Sequence, residues 1–315
     1  MNVATGIVLK LLSVLLFALM STLIRAAGQK FPLGEVVFFR SAFAIVPVVI
    51  FYAWRQELAS VVVTRRPLGH LGRGIQGICA MFVNFAALAR LPLMDATAIS
   101  FASPFITVAL AAVILKERVR RYRWSAVAVG LIGVIVMMWP YLDIKGTITF
   151  STAERTIGAI CALLGAFLNA GTVIQTRRLT ESETTSSIVF YFSLICALAG
   201  LATLPFGWLA ITLADFVMLS MIGIIGGMSH LLLTECYRHA PASVVAPFDY
   251  TAMIWAFLLG YFVFGELPSI YVYVGAAIVV ACGLFVLWRE RQINTAEIKA
   301  AALEGSPVVD PIKKP

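Results

Sequence analysis

The sequence predicts an all-α polytopic membrane protein, with ten transmembrane helices arranged as two inverted five-helix repeats. Three observations lead there. The 315 residues are 61% hydrophobic and only 13% charged, with a mean hydropathy of +0.94. A soluble domain is about half apolar and about a quarter charged, so too few polar side chains remain here to cover a water-facing surface. The apolar residues fall into ten runs, each of roughly the 20 residues that cross a bilayer core at about 1.5 Å per residue. Finally, the layout of Leu91 to Arg123, a proline-bearing turn, an apolar span and a charged end, returns in His239 to Pro268.

The runs lie at roughly 5–25, 34–54, 71–90, 95–115, 123–142, 155–176, 186–206, 214–237, 242–264 and 269–288. Short polar or Pro/Gly-bearing turns separate them. The first contains Lys10 and ends without a small-residue cleavage pattern, so it reads as a retained helix rather than a signal peptide. All are expected as helices, because only helices and closed barrels satisfy backbone groups in lipid. Barrel strands would be shorter and would alternate apolar with polar. Gly130 with Gly133, and Gly223 with Gly226 and Gly227, place small residues where helices can approach closely. Residues 289–315 read as a disordered cytoplasmic tail after a short helical extension.

Charge sets the orientation. With the N-terminus inside, 14 Lys and Arg residues flank the spans on the cytoplasmic side, from Arg55 to Arg291, against five outside: Arg25, Lys30, Arg90, Lys145 and Arg155. Both termini are therefore expected in the cytoplasm. The net charge of +8 reflects this placement, and no nucleic-acid motif accompanies it. The five cysteines lie in apolar runs without metal-ligand or CxxC spacing, and no metal or cofactor is expected.

A shift of 149 positions sets Pro92 on Pro241, Glu117 on Glu266, Gly74 on Gly223 and Gly77 on Gly226; a shift of 152 sets Arg25 on Arg177. The expected units are residues 1–146 and 147–288. Five helices per half is an odd number, so the second half enters the membrane from the other side. That symmetry lets a carrier expose one central site to each side in turn.

The chain resembles the drug/metabolite transporter superfamily, in its ten-helix branch of paired EamA-type domains. The residues carrying the resemblance are EVVFFRSAFA in the second run, LPLMDATAISFASPFITVALAAVILKE across the third turn and fourth run, and APASVVAPFDYTAMIWAFLLGYFVFGE in the second half. The resemblance implies a secondary transporter of small organic metabolites in a bacterial inner membrane. Members export amino acids and metabolites, and some take up vitamins such as riboflavin. It also includes Arg40, whereas the charged Asp249 departs from the commoner pattern and opens a proton-linked variant.

Polar groups inside spans are costly and mark candidate sites. Arg40 would hold a substrate carboxylate, or else snorkel to the outer interface. Asp249 would hold a substrate amine or titrate as a proton carrier, or else form a structural pair with an arginine or with Tyr250. His230 would relay protons or simply bond between helices. Gln76, Asn84 and Asn169 either line the cavity or join helices. Thr97, Ser100, Pro104 and Thr107 form one stripe of the fourth run. Pro104 removes a backbone bond, giving a gating bend or a static kink. Phe101, Tyr191, Tyr250 and Trp255 would stack on a flat substrate, or pack in the core or against lipid. Glu117 and Glu266 close corresponding helices at opposite faces, and Glu235 with Arg238 suggests a boundary salt bridge.

The expected partners are a small-molecule metabolite, the lipid bilayer and protons. No phosphate-binding GxxxxGK[ST] loop occurs. An intramembrane hydrolase is excluded at Ser229-His230, since adjacent helical residues point about 100° apart, and no HExxH is present. A channel would need a continuous polar stripe that these scattered residues do not form. Sequence leaves substrate identity, direction and oligomeric state open.

Overall fold

The computed structural model describes residues 3–56, 62–116, 119–142, 150–180 and 182–303. Glu117 and Arg118, Lys145 and the tail beyond Leu303 lie outside the described residues. The helices are α1 (Val3–Gly28), α2 (Leu33–Trp54), α3 (Pro67–Arg90), α4 (Leu93–Ser100), α5 (Ala102–Ile114), α6 (Arg121–Met138), α7 (Phe150–Leu179), α8 (Thr185–Leu201), α9 (Leu213–His239), α10 (Ala242–Val245), α11 (Thr251–Phe264) and α12 (Ile270–Leu303). Among the described residues nine helical spans are long and apolar enough to cross a membrane. A tenth, Ser186–Leu201 in α8, is apolar but shorter. Side chains such as Phe262, 77% exposed, and Leu213, 81% exposed, form an apolar outer surface that water would not tolerate but lipid would.

Local chemistry sets the ends. Pro67 opens α3 at a position where the missing N–H costs nothing. The Thr212 hydroxyl accepts from the Asp215 N–H while the Asp215 carboxylate accepts from the Thr212 N–H, a reciprocal cap that starts α9. Gly265, at φ +67°, ends α11 in the left-handed conformation glycine adopts without strain.

Two spans are broken. In the fourth, Pro104 cannot donate to the Ser100 carbonyl, and the helix is interrupted at Phe101 between α4 and α5. The ninth span was expected to be continuous. It instead begins as the single turn α10, tightens into a 3-10 turn over Ala246–Tyr250 that carries Pro247, and resumes as α11. Asp249 sits in that turn.

Several helix pairs correspond on exchange of the two halves, although the packing of α1 on α3 has no equivalent between α7 and α9 among the described residues. α1 lies on α9 as α3 lies on α7. The α2–α8, α6–α12 and α4–α11 contacts each map onto themselves. α7 flanks the fourth span as α1 flanks the ninth. Small residues make the close pairs: a Cβ on Gly227 would stand 2.6 Å from the Ala44 carbonyl oxygen of α2. One apolar core, around Ile99, Met137 and Val279, joins spans three to six with nine and ten. A second, around Val36, Leu219 and Ile222, joins one to three with seven and eight.

Candidate functional site

The fourth and ninth spans pack against each other, and their interruptions lie beside a cavity of about 570 Å3. Both broken segments line it, together with α1, α6 and the middle of α12. Ser100, Phe101 and Pro104 face it from one repeat, and Asp249 and Tyr250 from the other. The rings of Phe101 and Tyr250 stack across the repeat boundary, centroids 5.3 Å apart and 24° from parallel. Tyr250 is seated against Gly283 of α12, where any larger residue would meet its hydroxyl. Breaks in the helices place polar backbone at membrane depth where it borders a cavity, as irregular backbone in a membrane must.

Two charged groups face this space. The Asp249 side chain is 47% exposed into it and bonded to Lys10 Nζ of α1 at 2.6 Å. Lys10 is 2% exposed, enclosed behind the carboxylate, with its ammonium 5.7 Å from the centroid of the Tyr237 ring. At the mouth Arg123 is paired with Glu290 at 2.9 Å, while its Nε has no partner. A carboxylate, a guanidinium and an aromatic pair thus line one cavity.

The opposite end is tied shut. Arg25 of α1 bonds Glu266 and donates to the Leu88 carbonyl at 3.0 Å. Glu266 also accepts from the Leu93 N–H, at 3.2 Å, where the fourth span begins. The Tyr141 hydroxyl donates to Asp95 close by. Leu93, Ile99, Met253 and Ala256, each at most 5% exposed, fill the space between that end and the cavity. Beyond the seal, a hollow of about 400 Å3 is lined by Asp95, Tyr141, Arg155 and Glu266.

The remaining sequence candidates lie elsewhere. Arg40 is 6% exposed within α2, its Nη2 donating toward His230 Nε2 at 3.4 Å. A guanidinium has only donors, so that nitrogen of His230 is the acceptor. His230 also lies edge-on to Phe17. Neither Arg40 nor His230 lines the central cavity. Gln76 donates to the Leu168 carbonyl, joining α3 to α7, and Asn84 donates to Ala80 in its own helix. Asn169 and Trp255 are half-buried outside the cavity lining. Tyr191 bonds the Val62 carbonyl and lies against His70, near the loop following α2. Glu235 and Arg238 do form a salt bridge, at 3.2 Å, and Arg55 joins it. Lys10 is the functional candidate the sequence reading passed over, although it is the one charge deep within the first apolar run.

Comparison with known proteins agrees with this architecture. The family model for the EamA-like transporter family matches twice, over residues 4–139 and 156–289, once per repeat. The chain is 30% identical to the pseudopaline exporter CntI of Pseudomonas aeruginosa, over 88% of this chain and 94% of that one. It is 26% identical to the S-adenosylmethionine uptake transporter of Rickettsia bellii, over 86% and 89% respectively. A crystal structure covering 91% of this chain and 98% of its own superposes with a TM-score of 0.60 at 18% identity, which shows a shared fold. Doubled repeats, a central cavity between them and transporter relatives over nearly the full length agree: the chain is a multi-pass membrane transporter of the EamA-like transporter family.

Proposed function

We propose that the chain exports a small amphipathic zwitterion across a bacterial inner membrane by alternating access, and that the cavity between the fourth and ninth spans is its substrate site. The observation that carries this reading is that Asp249 and Arg123 line one cavity with the stacked Phe101 and Tyr250 rings, in a volume suited to one metabolite. A substrate ammonium would sit at Asp249, its carboxylate at Arg123, and its apolar part against the rings. The distribution of Lys and Arg supports the cavity end as cytoplasmic, with both termini on that side. In this reading the protein is open inward and Arg25–Glu266 closes the outside. Arg40 and His230 serve as an interhelix bond.

Export agrees with the name of the Pseudomonas relative. Uptake is the second reading, favoured by the Rickettsia relatives named as S-adenosylmethionine uptake transporters. Proteoliposomes test both, using a metabolite panel screened by counterflow. Saturable exchange of a zwitterion, lost in Asp249→Asn and weakened for carboxylate-bearing compounds in Arg123→Gln, supports the site. Unsaturable flux, or exchange indifferent to both substitutions, overturns it.

A further inference from the structure

The central cavity has an acidic group that faces the space but is not left as a bare charge. Lys10 reaches Asp249 Oδ1 at 2.6 Å from a helix in the other repeat, and it does so from behind. The lysine is 2% exposed and the aspartate 47%. The cation is thus sheltered from the cavity while the carboxylate still presents to it. A lysine enclosed in this way cannot exchange its partner for water, and the ammonium requires an anion in place. The other titratable groups around the pair are Tyr237 and Cys236 of α9, Tyr250 in the same turn and Cys282 of α12. Arg123, at the mouth of the same cavity from α6, is matched by Glu290. Among the described residues no second carboxylate shares the cavity wall with Asp249.

An exposed carboxylate at the centre of a membrane carrier has to be balanced whenever the empty site crosses the bilayer. A proton or metal cation from solution is one way to balance it, and the substrate ammonium is another. We propose that Lys10 is a resident counter-ion that stands in for a coupling proton at Asp249, so the empty carrier reorients without taking up an ion. This rests on reading the cavity as the substrate site. It departs from the proton-carrier role that is one of the three readings of Asp249 from sequence. The substrate ammonium then shares the carboxylate from the cavity side while Lys10 keeps its orientation from behind, and the cycle is driven by the substrate gradient alone.

The proposal makes Lys10 a positioning residue whose removal should create proton traffic. With Na+ or K+ in the buffer on both sides, the empty carboxylate of Lys10→Met takes a proton on the acidic side, crosses neutral and releases it on the other. It returns neutralised by the alkali cation, so that protons exchange for cations. Liposomes containing a trapped pH dye and no added substrate measure this directly. An imposed pH gradient should decay several-fold faster with Lys10→Met than with wild type. The Lys10→Arg and Lys10→Met/Asp249→Asn proteins should return to the wild-type rate. Equal decay for Lys10→Met and wild type overturns the proposal, as does a fast wild-type decay abolished by Asp249→Asn. Should Lys10→Met fail to fold, infrared difference spectra of wild type against Asp249→Asn decide the matter. A carboxylic-acid carbonyl band from Asp249 across the neutral range contradicts a permanently paired carboxylate, and its absence supports one. Neither measurement needs a substrate, so a failure of the cavity as the binding site would show separately, as unaltered counterflow in Asp249→Asn.

Discussion

Arg25 and Glu266 bond each other across the repeat boundary, at the end of the bundle away from the cavity. The arginine belongs to the first helix of one repeat, and the glutamate lies just past the fourth helix of the other. Glu266 also accepts the Leu93 N–H, so one carboxylate fastens α1, the start of the fourth span and the end of the ninth. Breaking a buried pair by removing one partner costs about 3–5 kcal/mol, and each 1.4 kcal/mol is about tenfold in an equilibrium.

That cost gives the first prediction. Arg25→Ala should leave the protein inserted but loosen this end. A membrane-impermeant thiol reagent applied from the Arg25 side should label Thr97→Cys, in a background without the native cysteines, about a hundredfold faster than with Arg25 intact. Unchanged labelling would mean the pair holds helices together without closing a path.

Gly283 provides a test of the aromatic wall. A Cβ there would collide with the Tyr250 hydroxyl, so Gly283→Ala should push the ring into the cavity. Gly72→Ala, where nothing lies within 4 Å, is the matched control. KM for the transported compound should rise several-fold in the first and stay unchanged in the second, at equal protein levels.

Glu183, in the loop before α8, yields a pH prediction. Burial pushes its carboxyl upward, but the Arg65 and Arg66 N–H groups at 2.7 and 2.8 Å, the Thr64 hydroxyl and His70 outweigh it and hold it below the usual carboxylate range. A depressed folded-state value stabilises the protein above the unfolded-state value, near pH 4.3 for glutamate, and that stability is lost as pH falls through the folded-state value. Thermal melts of detergent-solubilised protein should therefore show Glu183→Gln destabilised at neutral pH. The deficit relative to wild type should shrink on acidification below about pH 4. A deficit constant with pH would assign the loss to packing.

The spans, the repeat and the break at Pro104 were legible because each rests on a local rule: apolar length, proline geometry, a fixed offset between copies. That Ser100, Asp249 and Tyr250 border one space was legible because the repeat superimposes the fourth and ninth spans. The Lys10–Asp249 pair was not read. Its partners are 239 positions apart, and no periodicity connects α1 with the 3-10 turn of the ninth span. The signal present was chemical: a lysine deep in a first span needs a carboxylate, and Asp249 lay at comparable depth. Arg40 and His230 illustrate the converse. Each was costly enough to suggest a site, and they meet one another between α2 and α9, with Arg40 Nε left without a partner. Sequence gives the expense of a polar group but not which neighbour meets it.

The central claim is that one cavity between the repeats opens alternately to the two faces of the membrane. Two-sided thiol labelling of Ser100→Cys in oriented vesicles, without native cysteines, tests it most directly. The account predicts that impermeant reagent reaches this position from either side, faster from the side of Arg123, and that a transported compound shifts the ratio. Access from one side alone, whatever the substrate and with Arg25→Ala included, would contradict it.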